Sequence, residues 1–316
     1  MKTIYPDILK TGDKIAVVAI SEGMYALPGP LVRKAVQELE TYGLKVSLPG
    51  SGPSNSIGER LTALHAVFAD PEVKAVLIGL GGVSAIEILP YIDFHLIREN
   101  PKIICGFSDA TIILQAIYAK TGLTTWYGPM LFSFAANADK SYTREAFQQA
   151  LFSRSSFGIK PASGWSNYDE LDNRRKNHGF HVLRAGHAHG ILVGGHVPSM
   201  NLLQGTSYLP SLREAVLFIE ICGRYGKDTA GKFMQYLNGL LLQQDAHQLQ
   251  GLLIGRFYYQ ADVSYDNLHE MLLSHPLLQH IPIIANVDFG HTTPMATLPI
   301  GGRVIISQDT VTVEAR

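Results

Sequence analysis

The residues most able to do chemistry lie in Lys102–Ile117, KIICGFSDATIILQAI. An apolar run of strand type enters Gly106-Phe107-Ser108-Asp109-Ala110, and a helical pattern starts at once. A serine flanked two residues away on each side by small residues fits a sharp strand-to-helix turn. Such a turn lifts the hydroxyl clear of both elements as a nucleophile. The first N–H groups of the helix, from Asp109 on, would then face the atom under attack and stabilise an oxyanion. The same residues also read as a plain helix start, with Ser108 as N-cap and Asp109 as a first-turn acid.

A serine nucleophile needs a base, and the base needs a group that orients it. With 12 histidines in the chain, spacing alone selects none. His291 stands out in FGHTTPMATLPIGG, where glycines and prolines shape a loop just after the apolar run PIIANV. Glu220 in VLFIEIC interrupts a run that otherwise reads as a buried strand. A carboxylate there needs a partner, and an imidazolium serves; an edge-strand or salt-bridge carboxylate is the alternative. His187 and His189 in RAGHAHG alternate on one strand face, but no third metal ligand accompanies them, so surface histidines are expected. Gly79–Ala85, GLGGVSA, lacks the last glycine of a dinucleotide fingerprint. It reads better as a loop bringing a backbone N–H close to a substrate.

The elements holding these residues change character along the chain. In the first half, the apolar runs KIAVVAIS, KVSLPG, KAVLIGLGG, KIICGFS and TTWYGPM alternate with amphipathic stretches such as PGPLVRKAVQELETYG, GERLTALHAVFAD and DATIILQAIYAKTG. That order predicts a parallel sheet covered by helices on both faces. From about residue 153 a polar stretch, SRSSFGIKPASGWSNYDELDNRRKNHGF, reads as a linker or a loop over a site. Beyond it, strand patterns dominate, broken by the helix patterns KFMQYLNGLLLQQD and YDNLHEMLLSHPLL. The expected division is residues 1–155 and 156–316.

Composition narrows the function classes. The 316 residues are 46% hydrophobic and 17% charged, enough for a large core. The net charge of −1 and the absence of basic runs argue against nucleic-acid binding. No apolar run approaches the ~20 residues of a membrane span, and the N-terminal residues show no signal-peptide core. Two cysteines exclude a disulfide scaffold and any multi-cysteine metal site. A cytoplasmic location with reduced thiols is expected, with Cys105 a small buried apolar group.

Together, GFSDAT at Ser108, LFIE at Glu220 and GHTTPMATLPIG at His291 resemble the serine LD-carboxypeptidases, a family that also includes the peptidases conferring self-immunity to microcin C. NPKIICGFSDAT, YGPM, GHAHGILVGG, LLQGTSYLPSL and LIGRF extend the resemblance from about Gly12 to the C-terminus. It implies an N-terminal flavodoxin- or Rossmann-like parallel sheet and a β-rich, swivelling β/β/α-like C-terminal domain. It further implies Ser108 as nucleophile, His291 as base and then acid, Glu220 as the residue orienting His291, and the N–H groups of Gly82 and Asp109 as the oxyanion hole. The triad, with gaps of 220 − 108 = 112 and 291 − 220 = 71 residues, would assemble across the domain interface. No cofactor or metal and a cytoplasmic homodimer are implied as well.

Three departures bear on the substrate. Leu80 stands where members acting on murein usually carry Arg, His196 where most carry Asn, and Ile221 where an acid often follows the Glu. Loss of an Arg that would bind a carboxylate leans toward the immunity branch and an aminoacyl- or peptidyl-nucleotide substrate. A murein tetrapeptide cut before its terminal D-Ala is the alternative. A non-catalytic binding protein on the same scaffold and an esterase of the α/β-hydrolase class are the competing classes. Trp165, His196 and Arg256 are the candidate substrate contacts. For Trp165 the competing role is packing over the domain junction, and for Arg256 a structural ion pair.

Overall fold

The computed structural model describes residues 2–23, 26–49, 55–136 and 140–316. The first half builds strands β1 (Lys14–Val18), β2 (Lys45–Ser47), β3 (Val73–Ile78), β4 (Ile103–Gly106) and β5 (Thr125–Tyr127). Of the run expected as the second strand, Gly50 lies outside the described residues. All these strands pair in parallel. Apart from half-buried Val46 on the edge strand, their β-branched side chains are buried because helices cover both faces. Helix Ile57–Ala69 opens with a capping box, Ser56 and Glu59 each satisfying the other's backbone N–H. Helix Thr111–Thr121 is buried nearly all round, as a helix wedged between two sheets must be, and ends on left-handed Gly122.

The second half adds β6 (Phe157–Ile159), β7 (Gly164–Asn167), β8 (Arg175–Lys176), β9 (His181–Arg184), β10 (His187–His196), β11 (Ala215–Glu220), β12 (Gly251–Gly255), β13 (Ile283–Val287), β14 (Thr292–Thr293), β15 (Leu298–Ile300), β16 (Arg303–Ser307) and β17 (Thr310–Val313). Eight of them form one sheet in the order β6-β17-β16-β10-β11-β12-β13-β9. Its centre, β10 to β13, is parallel and its flanks are antiparallel. Gly194 permits the closest approach within it: a Cβ there would lie 1.7 Å from the Phe218 carbonyl oxygen.

The two halves interlock. β15 returns to the first sheet and pairs antiparallel with β5, giving the order β15-β5-β4-β3-β1-β2. The Thr111 hydroxyl accepts the His196 N–H at 3.1 Å, and the Gln115 amide donates to the Gly194 carbonyl, so the helix after Ser108 docks on the end of β10. The polar stretch expected to be a linker or a loop carries β6, β7 and β8. β7 and β8 form a small sheet with β14. Such short strands show no alternation of polarity, so their pattern resembles loop. No helix among the described residues is long and apolar enough to cross a membrane.

Candidate active site

β4 ends at Gly106, Phe107 is extended, and Ser108 takes φ +60° before the chain turns helical. This left-handed conformation costs a non-glycine residue about 1–3 kcal/mol and marks a position held by its surroundings. A Cβ on Gly106 would lie 2.8 Å from Ile78 and 3.0 Å from the Cβ of Ala110, so small residues let the strand and helix close on each other. The helix after Ser108 has no side-chain N-cap. The Ser108 hydroxyl instead lies 2.9 Å from Nε2 of His291.

His291 sits on the loop between β13 and β14. The β7–β14 pairing and the Tyr168 N–H, which donates to the His291 carbonyl at 2.9 Å, fix that loop. The Phe107 ring meets the imidazole edge-on at 5.2 Å. Nδ1 of His291 lies 2.8 and 3.0 Å from the two carboxylate oxygens of Glu220. Glu220 ends β11, fully buried, and Gly290 leaves it room, since a Cβ there would lie 2.5 Å from its Cγ. The Tyr127 hydroxyl, at the end of β5 in the other sheet, donates to Glu220 at 2.6 Å. Burial would raise the Glu220 pKa. The neighbouring imidazoles and the hydrogen bonds from His291 and Tyr127 outweigh it and hold the carboxyl at about 2. Glu220 is therefore a carboxylate at neutral pH. Ser108, His291 and Glu220 form an unbroken hydrogen-bonded line, the arrangement in which a carboxylate fixes an imidazole that can take a proton from a hydroxyl.

The cleft beside Ser108, about 260 Å³, is bordered by Gly82, Asp109, His196, Ser199 and Arg224. The Asp109 carboxylate turns away from it. It accepts from the Ser21 hydroxyl at 2.6 Å and the Ala85 N–H at 2.8 Å, tying the glycine loop to the turn at Ser108. Gly82, at φ +149°, has no space for a side chain: a Cβ would lie 2.3 Å from the Ser21 oxygen. Register pairs His196 with Glu220 across β10 and β11. The His196 ring lies 5.1 Å from that of His291, its Nδ1 is 2.9 Å from the Ser199 hydroxyl, and its Nε2 is buried without a partner. Burial chiefly, with the charges of His291 and Arg224, pushes His196 down to about 3 against the pull of Glu220, so the ring is neutral.

Two expected substrate contacts lie elsewhere. Trp165 and Arg256 line a second cavity of about 540 Å³ rather than the cleft at Ser108. The antiparallel pairing of Trp165 with Arg175 sets the indole against Arg256, 5.1 Å from its guanidinium. Arg256 is buried and pairs with Asp288 at 2.8 Å, and its Nε donates to Asn286 at 2.8 Å. The ion pair named as its alternative role is thus present. His187 and His189 are exposed on β10, with His189 2.7 Å from Glu314. Cys105 is buried, and burial raises its thiol pKa. Sequence reasoning missed Tyr127 and Arg224. Tyr127 reads as an ordinary core aromatic, and the only signal for Arg224 is a charge just past a strand end.

A strained serine at a strand-to-helix turn, facing a histidine and a buried carboxylate, defines a serine hydrolase scaffold. The LD-carboxypeptidase N-terminal domain model matches residues 15–128 and the LD-carboxypeptidase C-terminal domain model residues 189–306. The chain belongs to the LD-carboxypeptidase family and is a serine-type carboxypeptidase, a hydrolase. It is 39% identical over 310 residues to the putative carboxypeptidase YocD of Bacillus subtilis, covering 95% of this chain and 94% of that one. It is 30% identical over 323 residues to the probable murein peptide carboxypeptidase of the same species, covering 98% and 94%. Among solved structures, an MccF-like protein from Bacillus anthracis superposes with a TM-score of 0.96 at 39% identity, covering 99% of this chain and 100% of that one. MccF in complex with glutamyl sulfamoyl guanosine gives 0.85 at 25% identity, covering 98% of each.

Proposed function

We propose that the chain cleaves an amide through an acyl-enzyme on Ser108. The observation that carries this reading is the line from Ser108 through His291 to Glu220, with contacts of 2.9 and 2.8 Å. Ser108 attacks the carbonyl while Nε2 of His291 takes its proton. Glu220 holds the imidazole with its proton on Nδ1 and balances the imidazolium that forms. The N–H groups of Gly82 and Asp109 receive the oxyanion. His291 then protonates the leaving amine, and a water activated by the same ring releases the acid.

The substrate we propose is an aminoacyl- or peptidyl-nucleotide of the microcin C type. Leu80 supports this, since an apolar side chain offers no grip on a peptide carboxylate, and so does the likeness to the MccF complex. The neutral His196 and the Arg224 beside it are the polar groups we assign to substrate recognition. Murein tetrapeptide is the second reading, favoured by the 30% identity to the murein peptide carboxypeptidase. The reading includes a cytoplasmic homodimer, which light scattering tests.

The deciding experiment is hydrolysis followed by mass spectrometry, wild type beside Ser108→Ala, on a murein tetrapeptide and on an aminoacyl-sulfamoyl adenosine. Release of the amino acid from the adenosine compound alone, lost in the variant, is the expected result. Release of D-Ala instead selects the second reading. Unchanged turnover in Ser108→Ala overturns the mechanism.

A further inference from the structure

We propose that His196, Glu220 and His291 also form an inhibitory site for a borderline divalent metal ion of the zinc class. The inference rests on the triad reading above, because the metal acts by capturing the triad's base. One ring nitrogen of each histidine and one oxygen of Glu220 lie within 4.8 Å of one another. Donor atoms around a tetrahedral zinc ion, about 2.0–2.2 Å from the metal, stand roughly 3.4 Å apart. The widest separation the three groups can have exceeds that by about 1.4 Å, so they would close on an ion by small side-chain movements.

The observation that points to a ligand is Nε2 of His196, which is buried yet has no hydrogen-bond partner. Of the twelve such side-chain atoms among the described residues it is the one imidazole nitrogen, and a metal ion would supply its missing partner. The remaining contacts resemble a metal ligand's supporting groups. Nδ1 of His196 lies 2.9 Å from the Ser199 hydroxyl, which can accept a hydrogen bond from Nδ1–H and so leave the Nε2 lone pair free. The His196 N–H is anchored on Thr111, and the Tyr127 hydroxyl holds Glu220. Two imidazoles and one carboxylate suit zinc, copper or nickel and not magnesium or calcium, which take oxygen ligands. The cleft reaches His196, so a water can fill the fourth position.

Capture disables the serine whichever nitrogen of His291 binds. If Nε2 is the ligand, it no longer accepts the Ser108 proton. If Nδ1 is the ligand, its proton moves to Nε2, which then donates to the Ser108 oxygen instead of accepting from it. No other proton or electron transfer is needed.

Zinc binding is tested first by calorimetry on metal-free Ser108→Ala protein, since Ser108 is not among the ligands. One zinc per chain is expected, with no heat from magnesium. Adding His196→Asn in that background should weaken binding by at least about tenfold. His291→Asn serves as a second ligand variant, and circular dichroism checks that each is folded. His189→Ala controls for the exposed His189–Glu314 pair on β10. In the otherwise wild-type enzyme, zinc should stop turnover reversibly, a chelator should restore it, and His196→Asn should be at least about tenfold less sensitive. Equal zinc affinity with and without His196, or zinc bound at this site with turnover unaffected, overturns the proposal. Inactivity on every substrate would refute the triad reading, while calorimetry would still decide the metal site.

Discussion

Replacing Glu220 by Gln tests the catalytic reading most severely. Wild-type Glu220 is held at about 2 against an ordinary 4.5, which corresponds to about 3 kcal/mol in favour of the carboxylate. Burial opposes ionisation here, so the His291 imidazole first and the Tyr127 hydroxyl with it hold the carboxylate. The Glu220→Gln variant keeps the side-chain shape and loses the charge that balances the imidazolium. A deficit of about 3 kcal/mol is roughly a hundredfold in kcat. Tyr127 adds to it. Its hydroxyl donates at 2.6 Å to the wild-type carboxylate and will claim the carbonyl oxygen of the new amide, turning the NH₂ toward Nδ1 of His291. At 2.8 Å from Nδ1, against 3.0 Å for the carbonyl oxygen, the NH₂ favours the tautomer with its proton on Nε2, which cannot accept from Ser108. Reversing the amide sacrifices a hydrogen bond of about 1 kcal/mol, roughly another fivefold. We therefore expect kcat to fall about 10³-fold by mass-spectrometric initial rates, with little change in KM. Tyr127→Phe in the Glu220→Gln background should return about fivefold, because the carbonyl is then free to face His291. A fall of less than tenfold in Glu220→Gln would refute the assigned role of the carboxylate. No recovery in the double variant would refute the role of Tyr127.

Gly82→Ala should lower kcat about 10²-fold through loss of an oxyanion donor, because its Cβ would lie 2.3 Å from the Ser21 oxygen at φ +149°; unchanged kcat removes Gly82 from the oxyanion hole. Arg256→Met should cost about 3–5 kcal/mol in chemical denaturation by leaving Asp288 buried without its partner, while KM stays the same if Arg256 is purely structural. His196, pushed below its ordinary 6.5 to about 3, contributes stability that is complete above pH 6.5 and is lost as the pH falls toward 3. Thermal melts from pH 7 to 4 should therefore fall more steeply for wild type than for His196→Asn, and parallel curves would contradict a buried neutral ring.

Much of the first sheet was legible because strands buried on both faces are continuous apolar runs and the helices between them carry a 3.6-residue period. The centre of the second sheet was legible for the same reason. The two-residue strands β8 and β14 of the small third sheet were not, because a period needs length to show. Ser108 stood out through its small neighbours, Glu220 as a charge in an apolar run, and His291 through its glycines and prolines. Local pattern did not single out His291 from twelve histidines as the partner of Ser108, and the family resemblance carried that step.

The placement of Trp165 and Arg256 was not legible in the sequence. An aromatic and a cation near a site are plausible substrate contacts in any linear view, yet the pairing of β7 with β8 turns Trp165 toward Arg256 and a different cavity. Tyr127 shows the converse. It opens the family-like YGPM, but no local pattern gives it a role beyond that of a core tyrosine, and its hydrogen bond exists only because β5 of one sheet ends opposite β11 of the other.

The amino-acid sequence by itself determined which residues are chemically competent and where the chain turns, since residue type, backbone freedom and hydrophobic period act over a few positions. Only the tertiary structure decided which competent groups meet. Ser108, Glu220 and His291, separated by 112 and 71 residues, come within 3 Å of their neighbours because two sheets interlock through β15 and the helix after Ser108. The ionisation states of Glu220 and His196 belong to that level too, since both are set by burial and by charges that no local stretch of sequence contains.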